Sequence, residues 1–500
     1  MTSKAKTAYN SRILDWGLTH AWRRSRMTAV QPLNGVSLVT NATDLGFLKV
    51  ELKQRQVDAL NAWTSADHCG ILAMATGTGK TISGLACAAS LESLDLIVIG
   101  APTNEIVRQW VDELSTRTTF RPALTVTGKA EQWMEPLFRK LHLVNHGQFS
   151  RERLPIIIVG SYSELSKSRV ENLIADAGGL PLRSLLIADE VHGTGAEVYR
   201  RILRSDFRYR LGLSATPIRP YDEEGSNLLL EYFGGVVYEF KLEEAIAAGI
   251  LSEYDYHVYM ARLTADEYFE YRELTVKIGR LLGRNQGEDP REGGRSFAKG
   301  RAQMTKEEAF KQAQRLMIQR AQIVKAAEEK FSSFNQVIRD HPPRRGIIYC
   351  ADIDQATRIS AKLGQQGFRV ARYSSIDGDR QPILAAFARG ELDALVAVKC
   401  LDEGVDVPAA NLAIILANDS SERQFIQRRG RILRIAPEKS IAKVVDFLVV
   451  PPLGDYPPEL IAPEINRVKY FAHAARNRTS VITKLAPELA PYGLSYSDLW

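Results

Sequence analysis

The sequence predicts an α/β protein: two tandem parallel-sheet domains with a helical, basic insertion between them and a helical extension after the second. Two observations carry this. Short apolar runs alternate with longer helix-like stretches over residues 70–240, and the pattern returns over 341–450. Strands separated by helical segments imply βαβ units and a parallel sheet. The first run also opens into Met74-Ala75-Thr76-Gly77-Thr78-Gly79-Lys80-Thr81, set between an apolar run and a helix-like stretch. Five segments follow: a basic N-terminal extension (1–45), a first α/β domain (46–245), a helical, basic linker or insertion (246–340), a second α/β domain (341–450) and a helical extension (451–500).

In the first domain the strand candidates are Gly70-Ile71-Leu72-Ala73, Ile97-Val98-Ile99-Gly100, Pro155 to Val159, Leu185-Leu186-Ile187-Ala188 and Arg210-Leu211-Gly212-Leu213. In the second they are Gly346 to Cys350, Phe368-Arg369-Val370-Ala371, Ala394 to Val398 and Leu412 to Leu416. The region between is long and charged, with a Gly-rich break from Gly283 to Gly294. Residues 451–500 open on Pro451-Pro452 and Pro457-Pro458 and then read as helix.

Composition narrows the class. At 45% hydrophobic and 25% charged, the chain is an ordinary globular one. No apolar run approaches the ~18 residues of a membrane span. The polar start Met1 to Lys6 lacks the apolar core of a secretory signal. Cys69, Cys87, Cys350 and Cys400 are far apart and form no CxxC pair, which fits a reducing cytosol and a cytoplasmic protein. The net charge of +6 is concentrated: residues 1–30 hold six Lys/Arg against one Asp, and 291–320 hold eight against three Glu. Clustered positive charge points to a polyanion partner.

The chemistry starts at Met74–Thr81. Glycines let backbone N–H groups curl around nucleotide phosphates, Lys80 reaches the β- and γ-phosphates, and the Thr81 hydroxyl can ligate Mg²⁺. The strict pattern begins with Gly, where this chain has Met74. About 110 residues on, the apolar Ser184 to Ala188 ends in Asp189-Glu190-Val191-His192. An Asp at a strand's carboxyl end can hold the same Mg²⁺, and the adjacent Glu can polarise the attacking water. Ser214-Ala215-Thr216-Pro217 is a hydroxyl-rich turn suited to coupling the phosphate site to a moving neighbour. In the second domain, Gln427, Arg431 and Arg434 fall on one helical face, and paired guanidinium forks suit a γ-phosphate.

These motifs, in this order over residues 50–450, resemble the superfamily 2 helicases of the DEAD/DEAH-like group, most of all the XPB-like and restriction-subunit-like branch. The resemblance implies two RecA-like domains with ATP and Mg²⁺ between them. It makes Gln56 the adenine-reading glutamine and assigns Thr76, Gly77, Thr78, Gly79, Lys80 and Thr81 to the phosphates. Asp189-Glu190-Val191-His192 becomes motif II, in which Thr81 and Asp189 hold the metal. It puts Gly404 and Asp406 near the nucleotide and Gln427, Arg431 and Arg434 on the γ-phosphate side, with Arg434 as the finger. Pro102, Thr103, Ser161 and Tyr162 become strand-backbone contacts. Arg55 stands where an aromatic is common, and Arg429 has no counterpart role.

The expectation is an ATP-dependent nucleic-acid helicase or translocase, on DNA rather than RNA, with Arg291, Arg295, Lys299 and Arg301 adding backbone contacts. Its setting would be DNA repair or phage defence. Two alternatives stand beside it: a duplex-DNA motor serving a partner nuclease or methyltransferase subunit, and an ATP-gated clamp that does not unwind. Asp44 with Glu51-Leu52-Lys53 loosely fits a nuclease pattern but overlaps the adenine-reading segment.

Overall fold

The computed structural model describes residues 45–147, 155–219, 222–283, 305–374, 381–398, 410–417, 432–434, 441–454 and 457–499. Its first half runs α1 (Gln54–Ser65), β1 (Cys69–Met74), α2 (Lys80–Ala89), β2 (Leu96–Ala101), α3 (Asn104–Arg117), β3 (Leu124–Val126), β4 (Ile156–Ser161), β5 (Ser184–Asp189), β6 (Tyr209–Ser214) and β7 (Val236–Phe240). These seven strands form one sheet in the order β3-β4-β2-β5-β6-β1-β7, every pair parallel. All six residues of β2, β4 and β5 are buried. Helices on both faces of a parallel sheet demand such unbroken apolar strands. The carboxyl ends of β1, β5 and β6 therefore deliver the phosphate loop, Asp189 and Ser214 to one edge, where open α/β sheets bind ligands.

The second sheet joins β8 (Glu253–Arg262), β9 (Gly346–Cys350), β10 (Val370–Tyr373), β11 (Ala394–Val398), β12 (Leu412–Ile415) and β13 (Ile441–Val450). Its order is β10-β11-β9-β12-β13-β8, again all parallel. Two tandem parallel sheets are the predicted architecture. One element differs from expectation. The segment from 246, expected to be helical, contributes β8, paired with β13 from Glu253–Ile441 to Arg262–Val450. Its aromatics Tyr254, Tyr256 and Tyr259 outweigh its charges: the first two are fully buried against the core, and aromatics favour a pleated, half-buried surface. The helices that follow, Ala265–Leu281, Lys306–Ala326 and Glu328–Asp340, match expectation. Arg291, Arg295, Lys299 and Arg301 lie outside the described residues.

The C-terminal stretch is helical as expected, and it also completes the second core. Ile461, Ile465, Val468 and Phe471 of helix Pro458–His473 pack with Tyr254, Tyr256, Val444 and Leu448. Beneath them lies a buried ionic cluster. Arg467 donates to Asp446 Oδ2 at 3.0 Å and to both oxygens of Glu464, and Tyr256 OH donates to Asp446 Oδ2 at 2.8 Å. Phe447 N–H satisfies the remaining oxygen, Asp446 Oδ1, and Val449 N–H joins Arg467 on Glu464 Oε2, at 2.8 Å each.

The segment after β7 packs against both halves. Leu251 pairs antiparallel with Arg434, and Ser252 N–H donates to Leu433 O at 2.7 Å. Ala75, Leu242, Leu251, Ile432 and Leu433 share one buried cluster.

Candidate functional site

The site begins where β1 turns into α2. Gly77 and Gly79 have φ of +88° and +98°, a region that side chains resist. A Cβ on Gly79 would stand 2.5 Å from Gln56 Nε2, so the close approach of α1 also requires glycine. Gln56 is buried, and its Oε1 accepts Lys53 N–H at 2.8 Å, capping α1. Arg55 Nε donates to Thr78 O at 2.7 Å, tying α1 to the loop a second time. Thr78 Oγ1 donates to Ala75 O at 2.7 Å and closes the turn.

At the carboxyl end of β5, Glu190 adopts a left-handed conformation, φ 52° and ψ 53°, which costs about 1–2 kcal/mol for a non-glycine residue. What it gains is a set of partners. Lys80 Nζ lies 3.2 Å from Glu190 Oε1, and Ser214 Oγ donates to Glu190 Oε2 at 3.2 Å. His192 Nδ1 lies 3.1 Å from Ser214 Oγ and 3.5 Å from Glu190 Oε2. Burial pushes the Glu190 carboxyl up, but Lys80, His192 and these hydrogen bonds outweigh it and hold the group below the usual carboxylate range. Asp189 goes the other way: burial, then the neighbouring Glu190 charge, push it up to about 6. Its Oδ2 accepts Trp110 Nε1–H at 2.8 Å and its Oδ1 accepts Glu190 N–H at 3.0 Å.

The residues present fit a magnesium nucleotide. Among the described residues, Thr76 Oγ1 and Thr216 Oγ1 are buried with no hydrogen-bond partner, a cost that a bound polar group would relieve. Lys80, the two carboxylates and the exposed Gly77 belong to the same loop and strand ends. Thr81 and Asp189 are the pair that can hold the metal.

The second half of the chain reaches this site through Arg434. A Cβ on Gly77 would meet Leu251 Cδ2 at 3.3 Å, Arg434 Cγ at 3.4 Å and Arg434 Nε at 3.5 Å. The arginine therefore lies across the phosphate loop, held there by its backbone pairing with Leu251. Thus Gln56, Thr76 to Thr81, Asp189, Glu190 and Arg434 come together. Gly404, Asp406, Gln427 and Arg431 lie outside the described residues, as does Arg429.

The expected strand contacts divide. Pro102 and Thr103 are partly exposed at the carboxyl end of β2, where Thr103 Oγ1 caps α3 by accepting Ile106 N–H at 3.4 Å. Ser161 and Tyr162 lie at the end of β4 with both side chains buried, 3% and 1% exposed. The Tyr162 hydroxyl is spent on Asp189 O, and its ring fills the space beside Gly100 and Gly193. Trp110 is buried at 1%, and its Nε1–H bonds Asp189. Arg55 and Leu251 were not foreseen as partners of the loop. For none of these does spacing along the chain carry the signal.

Two families match the chain: the one described as "Type III restriction enzyme, res subunit" over residues 49–219, and "Helicase conserved C-terminal domain" over 329–436. The pair of matches makes the chain similar to the superfamily 2 helicases, in their XPB-like and restriction-subunit-like branch. It is 29% identical over 392 residues to the "DNA 3'-5' translocase XPB2" of Sulfurisphaera tokodaii, covering 77% of this chain and 79% of that protein. It is 25% identical over 374 residues to the "DNA 3'-5' helicase XPB" of Mycobacterium tuberculosis, covering 74% and 55%. The "Putative DNA 3'-5' helicase Rad25" of Halobacterium salinarum gives 24% over 389 residues, 77% and 53%. The chain thus spans most of the first relative and about half of the other two. Among solved structures, the "ATP-dependent Type ISP restriction-modification enzyme LlaBIII bound to DNA" shares the fold, with a TM-score of 0.57 and 16% identity over 87% of this chain and 30% of that one.

Proposed function

We propose that the chain is an ATP-dependent DNA helicase or translocase whose two sheets close on one nucleotide. The observation that carries this reading is Arg434, supplied by the second half, lying against Gly77 of the phosphate loop in the first. A site shared in this way is sensitive to domain closure, which is how turnover becomes movement. Bound ATP with Mg²⁺ supplies the bond whose hydrolysis drives the cycle. The chain's residues do the rest. Lys80 leaves Glu190 to bind phosphate, Thr81 and Asp189 hold the metal, and Glu190 takes the proton of the attacking water. Arg434, with Arg431 and Gln427, stabilises the charge that develops. Gln56 reads the base, and Gly404 and Asp406 line the cleft. The naming of several relatives for action on DNA favours DNA over RNA. Pro102, Thr103, Ser161 at the end of β4 and the basic run containing Arg291, Arg295, Lys299 and Arg301 are the proposed backbone contacts. No described helix is long and apolar enough to cross a membrane. A partner nuclease or methyltransferase is the second reading, favoured by the match to a restriction subunit.

The test is steady-state ATPase with no polynucleotide, single-stranded DNA, duplex DNA and RNA in turn, with Lys80→Ala as the control. Turnover stimulated by DNA and abolished in Lys80→Ala supports the reading. Turnover indifferent to every polynucleotide, or surviving in Lys80→Ala, overturns it. Displacement of a triplex strand without unwinding then selects the duplex translocase.

A further inference from the structure

Two buried aromatic side chains converge on Asp189, and each comes from an element whose outer end carries a proposed strand contact. Trp110 lies on α3, the helix that Thr103 caps directly after Pro102. Its Nε1–H donates to Asp189 Oδ2 at 2.8 Å. Its ring lies 3.1 Å from the place a Cβ on Gly84 would take, so it rests against α2, the helix that begins with Lys80 and Thr81. Tyr162 follows Ser161 at the end of β4, and its hydroxyl donates to the Asp189 carbonyl. Its ring edges would meet Cβ atoms on Gly100 at 2.8 Å and Gly193 at 3.0 Å. Tyr162 is therefore wedged between the end of β2 and the turn after Glu190.

The chemistry of these bonds makes them stiff. An indole N–H only donates, and leaving it buried without an acceptor is costly. When α3 shifts, Asp189 Oδ2 must follow or that cost is incurred. The Asp189 carbonyl belongs to the peptide leading into Glu190, whose left-handed backbone is displaced by any rotation of that peptide. One arm thus reaches the metal-holding carboxylate and the other the peptide that aims the water-activating one.

We infer that Trp110 and Tyr162 are positioning residues that couple a strand bound at the carboxyl ends of β2 and β4 to Asp189 and Glu190. The inference rests on the function proposed above and names the route by which DNA acts on the nucleotide site. Coupling of this kind is reciprocal and measurable from binding alone.

The experiment uses the whole chain and a fluorescent ADP analogue with Mg²⁺, titrated with and without saturating oligothymidylate, and then with duplex DNA. In the wild type the strand should change nucleotide affinity by roughly 5- to 150-fold, the usual range of coupling between two sites. Trp110→Phe keeps a ring and loses the N–H; Tyr162→Phe loses only the hydroxyl. Each should bring the factor toward 1, while DNA affinity without nucleotide and melting temperature stay close to wild type. The Tyr162 variant removes one atom, so loss of packing cannot account for its effect. Coupling equal to wild type in both variants overturns the inference. A wild-type chain that binds nucleotide but ignores the strand overturns it too, and leaves the ATP-site reading standing. A chain that binds no nucleotide overturns both.

Discussion

Glu190→Gln should tighten nucleotide binding as it stops turnover. In the structure Lys80 Nζ is held 3.2 Å from Glu190 Oε1, so a phosphate must compete with a carboxylate for the same ammonium. At that separation, with an effective dielectric of about 20, the attraction is about 5 kcal/mol before desolvation is subtracted. A hydrogen bond to a charged group contributes a net ~1.5–3 kcal/mol. The amide removes the charge and presents an NH₂ either to Lys80, donor against donor, or to Ser214 and His192. Lys80 is then released to the phosphates, and affinity should rise roughly 10- to 150-fold at ~1.4 kcal/mol per decade. Turnover should fall about 10²- to 10⁴-fold, the usual contribution of a general base. Calorimetric titration with ATP and Mg²⁺, beside steady-state ATPase, reads both quantities. Weaker binding with turnover near wild type would refute the competition and the base role together.

Arg434→Ala should cut turnover by roughly 10³-fold or more, with a smaller loss of ATP affinity; the separation is read from kcat against Kd. Arg467→Met should destabilise the second half by about 3–5 kcal/mol, because Asp446 and Glu464 would remain buried without their cation; urea unfolding followed by far-UV circular dichroism should show the loss, and an unchanged transition would contradict it. Reversing Arg291, Arg295, Lys299 and Arg301 to Glu should weaken DNA binding across sequences and flatten its salt dependence, while ATPase without polynucleotide survives. An unchanged salt slope would make the stretch a solvated linker.

Sequence was most informative where chemistry restricts residue choice. A phosphate loop needs Gly77, Gly79, Lys80 and Thr81 in fixed order, and a metal carboxylate needs a strand end, so Asp189 announced itself. The fully buried strands were equally plain, since Ile347-Ile348 or Leu185-Leu186-Ile187 has one comfortable setting. The half-buried ones were not. β8 carries Glu253, Asp255 and Arg262 among its tyrosines, and its charges hid its alternation. β13 went unread although seven of its last residues are buried, because its partner lies at the other end of the domain. Tyr162 illustrates a further limit. The resemblance marked it, with Ser161, for a strand contact, but only three dimensions show Gly100 and Gly193 leaving a slot that the ring fills. Nor does spacing show the bond from Trp110 to Asp189, which crosses 79 positions of chain.

The pairing of β8 with β13 has a bearing on how the chain is made. β8 leaves the ribosome early, yet its neighbour in the sheet is the last strand to be synthesised. At about 5–20 residues per second, β8 waits on the order of ten seconds or more for Ile441 to Val450 to arrive. During that time Tyr254, Tyr256 and Val258 have no sheet to join. The first seven strands need no such delay, since all lie before residue 241. The nascent chain should therefore hold a finished nucleotide-loop lobe beside an open, chaperone-accessible second one. Non-local pairing of this length is slow to form, and a stall anywhere before β13 would leave the finger arginine without the lobe that carries it.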